Sequence, residues 1–194
     1  MRHAHPAPRL DEATLREPLR RALAARKTRT LPPGSRTAAA VLVPLFERDG
    51  EVRVWLVRRP ETMRSHGGQV AFPGGKSDPA DGCLRTTALR EAEEELGIGP
   101  SSVDVLGPLD DYPTITGFTV TPWVAWLPED VPIKPNPSEV ARAFAAPLRE
   151  FFAPPAGILP WRGWTVDDEL VWGATAAILG ALVSIVRDLG DLDR

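Results

Sequence analysis

The sequence predicts an α/β domain in which helices cover both sides of a mixed β-sheet. Three observations carry this. Apolar residues with helical spacing recur near both ends and in the middle of the 194-residue chain. Short β-branched and aromatic runs lie between them, bounded by Gly, Pro, Asn and Asp. Helices and strands interleave along the chain, which favours an α/β/α sandwich around one core. The length suits a single domain, with residues 1–35 as an N-terminal helix and loop and residues 36–194 as the core.

Asp11 to Lys27 reads as a helix with Leu15, Leu19, Ala22 and Leu23 on one stripe and Pro18 near its start or at a kink. Arg20, Arg21, Arg26 and Lys27 are expected on a solvated face, with the basic groups near the helix C-terminus suiting its dipole. Leu31-Pro32-Pro33-Gly34-Ser35 breaks the pattern. Ala38 to Phe46 is a buried strand, and Asp49-Gly50 turns it into a second strand at Val52 to Val57. Pro60 to Gly68 is a loop. Gln69 to Phe72 is a short strand ending at Pro73-Gly74-Gly75, and a helix runs from about Leu84 to Leu96 before Gly97 stops it. Val103 to Leu109 and Phe118 to Leu127 are strands. Asn136-Pro137-Ser138-Glu139 resembles a capping box, so a helix through Val140 and Phe144 to Pro147 is expected. Trp161 to Trp172 suggests a hairpin or short strands, and Gly173 to Leu189 a closing helix.

Composition narrows the function. A net charge of -3 gives no electrostatic footprint for nucleic acid or an anionic membrane. Met1 to Pro6 lacks a signal-peptide apolar core, and Ala174 to Val186 is too short to span a bilayer. The single cysteine, Cys83, fits a reducing cytosol, so a cytoplasmic protein is expected. His3 and His5 read as part of a frayed terminus. A small-molecule substrate is the expected partner, with a homodimer as the assembly to test.

The middle helix carries the chemistry. Its residues step by about 100°, so Glu91, Glu94 and Glu95 fall on one face while Glu93 points away. Ala88, Leu89, Ala92 and Leu96 form a separate apolar stripe. Clustered carboxylates near a helix C-terminus repel one another and oppose the dipole. Either water or a hard cation compensates them; Mg²⁺ or Mn²⁺ suits an all-oxygen set. Gly74-Gly75 just upstream lets the backbone approach a ligand closely.

Gly75 to Ile98 resembles the Nudix box: Gly, five residues, Glu, seven residues, then Arg-Glu-apolar-X-Glu-Glu-X-Gly-apolar. Arg90-Glu91-Ala92-Glu93-Glu94-Glu95-Leu96-Gly97-Ile98 matches the second half in full. The first half is one residue longer and lacks its Glu, so Asp81 or Asp78 is expected to brace Arg90 instead. That longer form looks like the coenzyme A pyrophosphatase branch of Nudix hydrolases. The branch signature upstream is also kept in spacing: Leu56, Arg59, Arg64, Gly68, then Phe72-Pro73-Gly74-Gly75, with Trp55, Val57 and Pro60 as substitutions. The resemblance covers about residues 36 to 185.

The resemblance implies a Nudix-like α/β/α sandwich with a loop–helix–loop catalytic motif. It implies Mg²⁺- or Mn²⁺-dependent hydrolysis of the diphosphate of coenzyme A or a derivative, giving 3′,5′-ADP and 4′-phosphopantetheine. Glu91, Glu95, Glu94 and the Gly75 carbonyl are the implied metal ligands. Glu94, Glu91 and Arg90 are the implied catalytic group, Arg90 chiefly orienting the Glu side chains. Arg64, Arg59, Lys76, Gly74 and Phe72 are the implied substrate contacts, with Arg64 first for the 3′-phosphate. Glu139 is assigned to capping and His66 to loop packing. The alternatives are hydrolysis of another nucleoside diphosphate derivative, or a nucleotide-sensing module without catalysis.

Overall fold

A computed structural model describes residues 10–32, 34–63, 66–158 and 162–192. Three helices, α1 (Glu12–Ala25), α2 (Leu84–Leu96) and α3 (Gly173–Leu192), flank a sheet. The strands are β1 (Thr37–Arg48), β2 (Glu51–Arg58), β3 (Val70–Ala71), β4 (Gly74–Lys76), β5 (Asp104–Pro108), β6 (Tyr112–Pro113), β7 (Phe118–Trp126) and β8 (Arg142–Pro147). A separate hairpin is built from β9 (Gly163–Val166) and β10 (Glu169–Trp172). The central path is β3-β2-β1-β7-β5, with β4 on β1, β6 on β7 and β8 on β2. β1 and β7 run parallel while the other pairs are antiparallel, so the sheet is mixed as expected.

The pleat of β1 explains the two layers. Ala39, Val43 and Leu45 point to one core with Leu15, Leu19 and Leu23 of α1 and Ile178, Leu179 and Leu182 of α3. Ala40, Leu42 and Phe46 point to the other core with Ala88, Ala92 and Leu96 of α2. A strand buried on both faces needs the uninterrupted apolar run that Ala38 to Phe46 supplies.

Several elements differ from the sequence expectation. The largest difference is β8, expected as a helix. Asn136 does start a turn: Val140 N–H donates to Asn136 O at 2.8 Å and Ser138 N–H to the Asn136 side chain at 3.2 Å. The turn is not continued. Ala141 N–H donates to Arg58 O at 2.9 Å, and β8 then pairs with β2 from Arg58↔Arg142 to Arg53↔Pro147. Phe144 and Ala146 alternate into the core, so sheet pairing overrides the cap signal.

The predicted solvated face of α1 is also corrected. Arg16 and Arg20 both pair with Asp104 of β5, and Arg26 pairs with Asp110 at 3.0 Å. The helix ends at Ala25, so no basic residue lies in its last turn. Its start is a capping box on Asp11 and Thr14, and Pro18 lies inside it. Gly74–Lys76, expected as a loop, is strand β4 on β1. α3 extends beyond the predicted apolar stretch and is long and apolar enough by composition to cross a bilayer. Here Ala176, Ile178, Leu179, Leu182, Val183 and Val186 are buried in the core. His3, His5 and Trp161 lie outside the described residues.

Candidate active site

β4 and α2 build the site together. Leu42 N–H donates to Pro73 O at 2.9 Å, and Ser77 N–H to Ala38 O at 3.0 Å. Antiparallel alternation then makes Ala40 and Gly75 a hydrogen-bonded pair, which turns the Gly75 carbonyl toward β1. Gly74 faces the other way. Its N–H donates to Glu95 Oε2 at 3.1 Å, and its carbonyl accepts from Arg59 at 3.1 Å. The outward carbonyl of this strand is therefore that of Gly74, which corrects the expectation placed on Gly75.

Gly75 matters for a different reason. A Cβ there would lie 2.6 Å from the Glu91 carboxyl, while a Cβ on Gly74 would lie 2.4 Å from Ala40 O and 2.6 Å from Val41 Cα. The first clash is with the flexible tip of a side chain, the second with fixed backbone. Gly75→Ala is expected to keep the fold and lower turnover on the order of a hundredfold by displacing Glu91. Gly74→Ala is expected to destabilise by about 1–3 kcal/mol or more. Thermal unfolding and steady-state rates of the two variants check the contrast.

α2 starts with Cys83 at its N-cap, without a side-chain cap bond, and ends at Gly97, whose φ of 70° permits the left-handed closure. Its three carboxylates do not share one environment. Glu95 is 1% exposed and sits at the margin of the apolar stripe. Glu91 is largely covered, with its side chain 13% exposed. Glu94 is half exposed and held by Arg90 at 2.8 Å. The packed edge of the helix runs between positions that spacing alone groups together. Among the described residues, no three Asp, Glu, His or Cys side chains converge as a ready-made metal cluster.

Burial sets the electrostatics. It pushes the Glu95 carboxyl up to about 7, opposed by the Arg59 charge and the Gly74 N–H, and reinforced by the charges of Glu91 and Glu139. Burial likewise raises Glu91, against the attraction of Arg90. Glu139 thus belongs to the same electrostatic centre. It is brought there because Lys134 N–H and Asn136 N–H donate to Leu96 O and Glu95 O at 2.7 and 2.9 Å. The carbonyls at the end of α2 need such partners. The sequence expectation gave Glu139 to a cap; no helix follows for it to cap, and its carboxylate accepts from Asn136 Nδ2 at 3.4 Å. The Ala143-Phe144-Ala145-Ala146 run that follows has no polar/apolar alternation, so the sequence offered no clear strand signal there.

Arg90 is a hub. Its Nε donates to Asp81 Oδ1 at 2.8 Å, and its terminal nitrogens reach Asp81 Oδ2 at 3.2 Å, Lys76 O at 3.2 Å, Glu91 at 3.0 Å and Glu94 at 2.8 Å. Asp81, not Asp78, is the brace. The Arg90 guanidinium, then the Asp78 N–H, hold the Asp81 carboxyl well below the usual carboxylate range. Thr87, buried on α2, donates to the same Asp81 at 2.8 Å. Asp78 instead caps the short turn Pro79–Asp81.

The other expected substrate contacts fall in different places. Phe72 is 2% exposed and packs in the core on the α1/α3 side, so its ring cannot line a substrate surface; the pleat of the short strand turns it inward. The Lys76 side chain is exposed. Arg59 reaches the carboxylate centre, donating to Glu95 Oε1 at 3.3 Å. Arg64 lies outside the described residues. His66 contacts Gln69 Oε1 at 2.8 Å within its loop.

A buried pair of carboxylates on a helix, a strand carbonyl beside them and an Arg–Asp brace define a loop–helix–loop centre of one family. Residues 36–169 match the NUDIX domain family, and the chain belongs to it. A Cronobacter sakazakii protein named uncharacterized Nudix hydrolase NudL is 43% identical over 155 residues, covering 74% of this chain and 80% of that one. A protein of the same name from Yersinia enterocolitica is 41% identical over 173 residues, covering 80% and 86%. Among solved structures, RenU, a Nudix hydrolase from M. smegmatis, aligns with a TM-score of 0.60 at 22% identity, covering 79% of this chain and 87% of that one. A C. elegans Ap4A hydrolase binary complex aligns with a TM-score of 0.56 at 18% identity, covering 80% and 98%. At these identities the structural likeness speaks for the Nudix fold. Nudix hydrolases generally use divalent metal ions and act on small nucleotide derivatives.

Proposed function

We propose that the protein hydrolyses the diphosphate bond of coenzyme A or a derivative, giving 3′,5′-ADP and 4′-phosphopantetheine. The observation that carries this reading is the loop after β2. The loop bears the branch signature Arg59…Arg64…Gly68…Phe72-Pro73-Gly74-Gly75, and its first residue, Arg59, bonds Glu95 and the Gly74 carbonyl. Of that signature, Arg59 and Gly74 bond the buried Glu95, which supports the reading.

The residues fit a hard divalent cation such as Mg²⁺ or Mn²⁺. The donors are all oxygen, and Glu91, Glu95 and Glu139 repel one another in a covered site where charge is disfavoured. Glu91, Glu95 and the Gly74 carbonyl would hold the ion. When bound, it supplies charge neutralisation at the diphosphate and a more acidic water. Arg90 keeps Glu91 and Glu94 oriented and links them to Asp81 and the Lys76 carbonyl. Glu139 and Glu94, outside the ligand pair, are the candidate proton acceptors. Arg64 meets the 3′-phosphate.

The alternative substrate is another nucleoside diphosphate derivative. Its support is the fold likeness to structures named Ap4A hydrolase and to the NUDIX domain of Shewanella oneidensis NrtR complexed with ADP ribose. A substrate panel with Mg²⁺ and mass identification of products separates the two. Coenzyme A is expected to turn over fastest; faster turnover of ADP-ribose overturns the assignment. Binding of these compounds without any hydrolysis would instead favour a sensing module. Arg64→Ala is expected to raise KM for coenzyme A on the order of tenfold, with a smaller effect on 3′-dephospho-coenzyme A. Equal effects on both remove Arg64 from 3′-phosphate recognition.

A further inference from the structure

Arg59 has two jobs that its sequence position does not separate. Its backbone closes the loop that follows β2: Arg59 N–H donates to Gln69 O at 3.0 Å, and its carbonyl accepts from Gly68 N–H at 3.1 Å. Its side chain leaves that loop and crosses to the carboxylate centre. One terminal nitrogen, Nη2, donates both to the Gly74 carbonyl at 3.1 Å and to Glu95 Oε1 at 3.3 Å. The other, Nη1, lies 3.7 Å from the Met63 sulfur. The Arg59 side chain is 20% exposed and its partner Glu95 only 1%. So one positive nitrogen sits between a strand carbonyl and a buried carboxylate, the oxygen pair assigned above to a divalent ion.

We propose that Arg59 is an exchangeable counter-cation, which holds Glu95 and the Gly74 carbonyl together and is displaced from them when a divalent ion binds. A buried carboxylate beside Glu91 and Glu139 needs a nearby positive charge. A guanidinium nitrogen and a metal ion cannot both use the same inward lone pairs of two oxygens. Arg59 is the group that can move, because Glu95 is locked on α2 and Gly74 in β4, while Arg59 retains an exposed edge. Its release leaves a guanidinium at the mouth of the site, free to meet an anionic substrate. The inference rests on the proposed function for the nature of the cation and for Glu95 and the Gly74 carbonyl as its ligands.

The test needs no substrate. Mn²⁺ affinity is measured by calorimetry and by the Mn²⁺ magnetic-resonance signal at about pH 8, above the ordinary carboxylate range. The wild type is compared with Arg59→Gln, Arg59→Lys and Glu95→Gln. Arg59→Gln, freed of the competing charge, is expected to bind Mn²⁺ about tenfold tighter, and Arg59→Lys, a point charge without the planar fork, to fall between it and wild type. Metal-free Arg59→Gln is expected to melt lower than wild type, with Mn²⁺ restoring more of its stability. Unchanged or weaker Mn²⁺ binding by Arg59→Gln overturns the exchange. Glu95→Gln separates the two readings. If wild-type Mn²⁺ binding is insensitive to that substitution, the metal assignment under the proposed function fails, and this inference with it. If binding is lost in Glu95→Gln but Arg59→Gln is not tightened, only the exchange fails.

Discussion

Glu95→Gln is expected to lower kcat on the order of a thousandfold while flattening part of the fall in stability with rising pH in the metal-free protein. The kinetic part follows from position: Glu95 is the buried carboxylate that Gly74 and Arg59 converge on. The stability part follows from its titration. Burial first, then the charges of Glu91 and Glu139, raise the Glu95 carboxyl from 4.5 to about 7 in the folded protein. A raised carboxyl contributes stability that is full below the unfolded value, near 4.5, and is lost as the pH rises through about 7. The difference is on the order of 3 kcal/mol. Gln carries no charge at any pH, so its unfolding free energy should fall less over that window, with Glu91, also raised by burial, retaining part of the slope. Below it, Asp81 and Asp104, both lowered by their arginines, begin to lose their own contributions, so the comparison belongs between about pH 5 and 8. Urea unfolding across that range with chelator present, together with kcat at saturating Mg²⁺, is the measurement. A near wild-type rate would remove Glu95 from the centre. An unflattened stability profile would mean that another group carries the titration. Divalent metal should raise the melting temperature of wild type more at pH 8 than at pH 5, because protons and metal compete for the same carboxylate.

Arg90→Ala is expected to lower kcat about 10- to 100-fold, the range seen when groups that orient ligands are lost. One guanidinium holds both oxygens of Asp81, the Lys76 carbonyl, Glu91 and Glu94. Removing it frees Glu91 to move and leaves Asp81 without its main partner. Arg90→Lys should not restore the rate, since a single ammonium cannot span these acceptors in a plane. KM should change less than kcat, because Arg90 is committed to the protein's own oxygens. A pure KM effect would instead make Arg90 a phosphate contact. Melting temperature should fall in both variants, and circular dichroism checks that the fold persists.

Much of the frame was legible because it is written in local periodicity. The α2 boundaries, Leu84 to Leu96, were read correctly from an apolar stripe and a stopping glycine, and the β1–β2 turn from Asp49-Gly50. The α1 stripe of Leu15, Leu19 and Leu23 was equally plain. β8 was misread because an Asn-Pro-Ser-Glu cap is a local signal, and nothing local announces that β2 has an open edge. Phe72 was misread because the motif conserves its position in the chain without saying which side of the pleat it takes.

The carboxylate centre divides in the same way. Residue identity and spacing determined that Glu91, Glu94 and Glu95 lie near one another on α2, that an Arg precedes them, and that the chain fits a mixed α/β sandwich. Those follow from helical geometry and side-chain chemistry, both properties of contiguous residues. Only the tertiary structure decided which of the three is buried, that Glu139 joins them from a distant segment, that Asp81 is the brace, and that the Gly74 carbonyl faces away from β1 toward Arg59. Each of those depends on strand register or on packing against a distant segment. Burial, which sets the charge state of Glu95, is a property of the assembled fold.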